Sequence, residues 1–253
     1  MKRVSLLFFT LLISLSTVFS SFASMSESAF VFLEALEVLN EMNIISSIEY
    51  VVSEESLHRI IENKTIIANQ QRMPPFLTLA LHQPTFILTE GELFKEVLIP
   101  KIEILFKGDH PLEKIELILF LGEVFSKEYE AKEIYKKSKN DYLSLISFIQ
   151  SLEKETPCVV LYTKDPWLTS FFRDSQIEVE VLDNQGESEP IFKIEKDGIE
   201  KWYSFSKRVN NDGYSDLSSS AILYPAYLLN DIISLIYLDS DESTLTYIKR
   251  ILR

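Results

Sequence analysis

The sequence predicts an α/β protein: two small lobes with mainly parallel sheets, joined by one long helix. Three observations carry this. From Ala29 to Phe106 short apolar runs alternate with amphipathic stretches, the pattern of strands separated by helices. From Pro111 to Glu155 the only glycine is Gly122, no further proline occurs and helix formers dominate. At Cys158 the short apolar runs resume. The expected division is a signal peptide at 1–23, an N-terminal α/β lobe at 24–108, a linking helical segment at 109–156 and a C-terminal α/β lobe at 157–253.

The leader comes first. Lys2 and Arg3 precede an uncharged run from Val4 to Ala23 that contains LLFFTLLISL, and Ser21-Phe22-Ala23 puts small residues at the −3 and −1 positions. This is the pattern of a cleavable secretory signal peptide, with the expected cut after Ala23. Its apolar core is shorter than the roughly 20 residues that span a bilayer and is diluted by Ser and Thr, so it reads as a leader and not an anchor. Every later apolar run is broken by charge or proline. With no cysteine at the cut for acylation, the mature chain is expected to be soluble and free in a periplasm.

Ala29 to Leu33 is expected as a first strand, followed by a helix from Ala35 to Met42 with Leu36, Val38, Leu39 and Met42 on one face. Ile48 to Val52 reads as a strand, Ser56 to Glu62 as a short helix and Thr65 to Ile67 as another strand. Pro74-Pro75 suits a first helical turn, so a helix runs to Leu81 before Pro84, and Thr85 to Thr89 is a strand. A turn at Glu90-Gly91, a helix from Leu93 to Leu98 and a strand from Ile102 to Phe106 complete the first lobe.

Asp109 is the expected cap of the next helix and Ser126 that of the long one. From there Ala131, Ile134, Tyr135, Ser138, Tyr142, Leu145, Ile149 and Leu152 fall on one face, over a length of about 40 Å. In the second lobe the strands are Val159 to Tyr162, Ile177 to Leu182, Pro190 to Ile194 and Lys201 to Phe205, with a hairpin turn at Asp197-Gly198. An apolar helix from Tyr227 to Tyr237 follows, and Ser243 to Arg253 is a short helix or a tail.

Composition excludes several classes. Removing Lys2 and Arg3 with the leader takes the formal charge from −13 to −15, which repels phosphate backbones, so nucleic acid is not a partner. With 46% hydrophobic residues and 6 glycines the chain is neither disordered nor a low-complexity fibre. Cys158 is the single cysteine, so no intramolecular disulfide forms, and it reads as a small buried apolar residue.

Several segments resemble, in order, the periplasmic solute-binding proteins that serve ABC importers of cobalamin and ferric siderophores. Leu36 to Asn43, followed by Ile48-Glu49-Tyr50-Val51, is similar to the family's "TELLFALG" helix and "IVGV" strand. Leu79 to Ile87 is similar to its helix-then-"PDLV" step, and Leu121 to Phe125 with Glu130, Ala131 and Ile134 to the entry of its linking helix. Lys154 to Leu161 resembles the "KPRVL" start of its second lobe. The resemblance departs where Asn43 stands for the glycine of "ALG" and Thr85 for the aspartate of "PD". It implies capture of an iron chelate or cobalamin-like ligand for an inner-membrane ABC permease, without catalysis. It also implies docking on permease arginines through an acid in each lobe; the first maps onto Glu37, with Glu34 nearby, and the second lobe offers no clear counterpart. The alternative is a solute-binding-like envelope protein that has lost transport and acts in protein interactions.

Open α/β sheets bind ligands outside the carboxyl ends of their strands, which nominates loops. In the first lobe these carry Ser53, Glu54, Gln70-Gln71-Arg72, Glu90-Gly91-Glu92 and Lys107; in the second, Lys164, Asp165 and Trp167, then Ser206, Lys207 and Arg208 after the Trp202-Tyr203 strand. Trp167, Trp202 and Tyr203 offer aromatic faces for a corrin or an aromatic chelator, while Arg72 and Arg208 offer forks for ligand carboxylates and Glu90 an acid at the first lobe's rim. Core packing is the competing role for both tryptophans. Of the three histidines only His58 has a carboxylate one turn on, Glu62, so neither a metal site nor a cofactor is expected. The Asp239, Asp241, Glu242 cluster lacks a calcium loop's glycine. No Gly-x-Ser-x-Gly elbow, Cys-His signature or Gly-rich phosphate loop is present, so an enzyme is not expected.

Overall fold

The computed structural model describes residues 21–25, 29–46, 51, 54–68, 75–89, 98–104, 108–152, 158–163, 165–183, 190–196, 198–205, 220–238 and 245–251. The chain packs as two units, Met1–Phe106 with Leu117–Ile134 and Lys107–Glu116 with Tyr135–Arg253. The expected linking segment is therefore shared between the units instead of standing apart.

In chain order the elements of the first half are β1 (Phe22–Met25), α1 (Phe30–Ala35), a 3-10 turn (Leu39–Glu41), β2 (Met42–Ile45), α2 (Glu54–Glu62), β3 (Ile66–Ile67), α3 (Pro75–His82), β4 (Phe86–Thr89) and β5 (Lys101–Glu103). Next come α4 (Pro111–Ile115), α5 (Leu117–Val124) and the long α6 (Glu128–Gln150), which gives residues 128–134 to the first unit and 135–150 to the second.

The first unit holds a five-stranded sheet in the order β3-β2-β1-β4-β5, parallel throughout. Its central strand is β1, with Phe22 at 1% and Ala23 at 0% exposure. Ala23 packs with Ile44, Ala68, Leu79 and Ile87 on one face of the sheet. Phe22 stacks on Phe86 at 5.5 Å and meets Phe125 at 4.9 Å. The expected cut after Ala23 falls inside this strand and would strip Phe22 and Ala23 from between β2 and β4. A short run of apolar and small residues reads alike in a leader and in a central strand, which is why sequence placed the boundary there.

Ala29 to Leu33, expected as a strand, belongs to the start of α1, and all of it is buried. An unbroken apolar run has no period to separate the two structures. The helix expected from Ala35 to Met42 is absent because α1 ends where that helix was to begin. Glu37 takes a left-handed φ of +57° and donates its N–H to the Glu34 carbonyl, while the Val38 N–H donates to the Leu33 carbonyl. This is a Schellman closure, with Val38 and Leu33 both buried. Met42 then enters β2. Elements α2, β3, α3 and β4 lie where sequence put them, and β5 starts one residue early. The strand expected at 48–52 lies outside the described residues except Val51, the turn at Glu90-Gly91 lies wholly outside them, and of the helix expected at 93–98 only Leu98 is described.

In the second unit the remaining elements are β6 (Cys158–Tyr162), α7 (Pro166–Asp174), β7 (Glu178–Leu182), β8 (Ile191–Lys196), β9 (Ile199–Phe205), α8 (Ser220–Leu223), α9 (Pro225–Ile236) and β10 (Ile248–Ile251). Their sheet has the order β10-β9-β8-β6-β7; only β6 and β7 pair in parallel, so the parallel character expected of both sheets is complete in the first alone. β8 and β9 form the hairpin expected around Gly198, whose φ is +73°. The last strand replaces the expected helix or tail. The Asp231 carboxylate, buried on α9, accepts the N–H groups of Thr246 at 2.7 Å and Tyr247 at 2.6 Å and so holds the approach to β10 extended.

Two expected caps are also reassigned. His110, not Asp109, caps α4: its Nδ1 accepts the Leu112 N–H at 3.1 Å, while Glu113 Oε2 accepts the His110 N–H at 3.4 Å. Ser126 closes α5 at φ +55° and does not cap α6. The predicted face of the long helix is real, since Ala131, Ser138, Tyr142 and Ile149 are buried and Ile134, Tyr135, Leu145 and Leu152 half-buried. Cys158 is exposed, because it opens β6 on the outward side of the strand's alternation.

Candidate ligand-binding site

At the carboxyl edge of the first sheet stand three hydroxyl side chains: Ser24 next to the end of β1, Ser46 just past β2 and Thr89 at the end of β4. The Ser46 N–H donates to the Ser24 carbonyl at 3.0 Å, and the Ile104 N–H to the Thr89 carbonyl at 2.8 Å, which fixes the strand ends. Ser46 Oγ and Thr89 Oγ1 are buried without a hydrogen-bond partner among the described residues. A buried hydroxyl left unpaired costs about 1–3 kcal/mol, so these two are the candidate polar contacts at this sheet edge. The following loops, 26–28, 47–50, 90–97 and 105–107, are outside the described residues, and Glu90 with them; so is Arg72 after β3.

The second unit presents a turn between β6 and α7. The Asp165 N–H donates to Thr163 Oγ1 at 3.0 Å, and Asp165 Oδ1 accepts the Trp167 N–H at 2.9 Å, capping α7 ahead of Pro166. Trp167 is 5% exposed: Phe171 meets its ring edge-on at 5.0 Å and Lys114 Nζ lies 4.7 Å from the ring centroid. The indole thus offers no open face, contrary to the stacking role sequence gave it. What it offers is its Nε1–H, a buried donor without a partner among the described residues. Burial holds the Lys114 ammonium below the usual lysine range, partly offset by Asp165 and Asp109. A desolvated cation beside an unpaired N–H suits an anionic or carbonyl oxygen. Lys114 carried no signal in the sequence, since it stands in a helix remote in the chain from the turn it serves.

Of the other residues, Tyr203 is core, stacked on Phe192 at 5.2 Å. Trp202 is half-buried and stacks on Tyr162 at 5.6 Å. Beside them on the sheet, Lys193 sits opposite both Val160 and Trp202 and pairs with Glu200 at 2.7 Å. Arg208 lies outside the described residues. His58 and Glu62 are both exposed on α2, and among the described residues no three His, Cys, Asp or Glu side chains gather as for a metal. The acidic cluster at 239–242 is outside them. Among the described residues no helix is long and apolar enough to cross a membrane.

Glu37 is exposed, but on the turn after α1 and not on a helix face. Its φ of +57° is a left-handed position just past a helix, where glycine is preferred. Glu34, the second choice, is half-buried and accepts a hydrogen bond from Ser56 Oγ.

Solved structures share this fold of α/β units and a long helix. A possible iron-binding (periplasmic solute-binding) protein from Staphylococcus epidermidis superposes with a TM-score of 0.50 at 12% identity, covering 70% of this chain and 71% of that one. The siderophore-binding protein BauB, solved with two molecules of acinetobactin and ferric iron, gives 0.50 at 14% identity over 65% of this chain and 63% of its own length. Neither the protein-family models nor the curated proteins contain a match. The chain has the fold of the periplasmic solute-binding proteins.

Proposed function

We propose that this chain is an exported solute-binding protein, not an enzyme, which captures an iron chelate or a cobalamin-like ligand and passes it to an ABC permease. The observation that carries the reading is the shared fold with an iron-binding and a siderophore-binding protein. In this reading the hydroxyls of Ser46 and Thr89 are the candidate polar contacts of the first unit, and the Lys114–Trp167 donors with the Trp202–Tyr162 stack are those of the second; Arg72, Glu90 and Arg208 stay candidates from sequence. The test is native mass spectrometry of the protein recovered from a cell envelope, with a thermal-shift screen of ferric catecholates, ferric hydroxamates, haem and cobalamin. A co-purifying chelate or a raised Tm supports the reading; no ligand in either experiment refutes it.

One observation favours a second reading, an envelope protein that has lost transport and works through protein contacts. Glu37, the acid expected to dock, stands on the turn after α1 and not on a helix face. Ligand binding without permease stimulation would separate the two.

A further inference from the structure

We propose that the leader is cut upstream of Ser21, so that the mature chain keeps β1 whole. The inference rests on the export reading and on what β1 does. Phe22 pairs with Met42 of β2 and Phe86 of β4, and Ala23 with Ile44 and Ile87, the register to β2 shifting by one residue between them. The Thr85 N–H donates to the Ser21 carbonyl at 3.0 Å, so Ser21 too is bonded to the segment that leads into β4. A chain beginning at Ser24 would lack the Phe22 ring between Phe86 and Phe125 and would leave β2 and β4 without two residues of their shared neighbour. A signal peptide serves the mature fold only if its scissile bond lies outside that fold.

The sequence offers two upstream bonds. Ser14-Leu15-Ser16 has small residues at both recognition positions and follows a short apolar core from Leu6 to Ile13. Val18-Phe19-Ser20 would leave Ser21 as the first residue. Either keeps the carbonyl of Ser21 and all of β1.

The full chain, produced in a secreting bacterium, is recovered from the periplasm, and its amino terminus is read by chemical sequencing and intact mass. An amino terminus at Thr17 or Ser21 is expected. A terminus at Ser24 or later overturns the proposal and leaves export intact; a chain that stays unprocessed in the cytoplasm overturns both. As a second measurement, the double substitution Ser16→Leu with Ser20→Leu is expected to abolish processing and accumulate precursor. Unchanged processing of that variant overturns the proposal.

Discussion

Replacing Glu37 by glycine tests the backbone that ends α1. Glu37 stands at φ +57°, where a side chain crowds the following carbonyl by about 1–2 kcal/mol. Glycine removes that strain, while the extra freedom it gives the unfolded chain returns roughly 0.5–1 kcal/mol. Glu37 is exposed, so little packing is lost. The net expectation is a gain of about 0.5–1 kcal/mol, or roughly 1–4 °C in Tm for a chain of this size. Glu37→Ala is the control, since alanine keeps the crowding and removes the same carboxylate. Urea and thermal unfolding of the three proteins are compared at one pH. The reasoning is refuted if Glu37→Gly is no more stable than Glu37→Ala. The same variants address docking: if Glu37 contacts a permease, both substitutions lower uptake equally while only one alters stability.

Further expectations follow from single contacts. A Cβ at Gly122 would lie 2.4 Å from Ala131 Cβ, so Gly122→Ala is expected to cost about 1–3 kcal/mol by chemical unfolding despite alanine's better helix propensity, and adding Ala131→Gly should recover most of it. The buried Tyr142 hydroxyl donates to Asp174 at 2.6 Å, and burial first, then Asp174, pushes its pKa far above the usual tyrosine range. Below pH about 10 both states keep the proton; above it only the unfolded state releases it, so stability falls as pH rises, and Tyr142→Phe should flatten that fall in unfolding curves between pH 9 and 11. Asp231→Ala removes the carboxylate that accepts two backbone N–H groups and is expected to cost about 2–4 kcal/mol, with faster amide exchange in β10 as the specific readout. Lys114→Met should weaken an anionic chelate about tenfold or more in titration while sparing a neutral one; equal effects on both would remove Lys114 from the site.

Where two independent signals coincide, the sequence is legible. Pro75 opens α3 and Pro84 separates it from β4, so both elements stand where they read. The long helix declares itself through eight residues on one face, and β6 to β9 through short apolar runs with Gly198 at the turn. The candidate site is less legible. Lys114 and Trp167 meet only because α4 packs against α7, and an unpaired Nε1–H is a property of surroundings that no local pattern carries.

The sequence by itself determined the α/β class, the position of the long helix and the acidic charge, because periodicity and composition are local. Tertiary structure decided where the helices stop and which residues form the central strand of the first sheet. With 6 glycines in the chain, its left-handed helix ends fall on Glu37, Lys64, Gln83, Ser126 and Gln176, residues that give no punctuation. Carbonyls at those ends are satisfied by backbone bonds such as Thr65 N–H to Ile60 and Ile177 N–H to Phe172, which form once the next segment is drawn into its sheet. In the same way Phe22 and Ala23 are apolar enough for a leader, and it is their pairing with β2 and β4 that makes them the centre of a sheet.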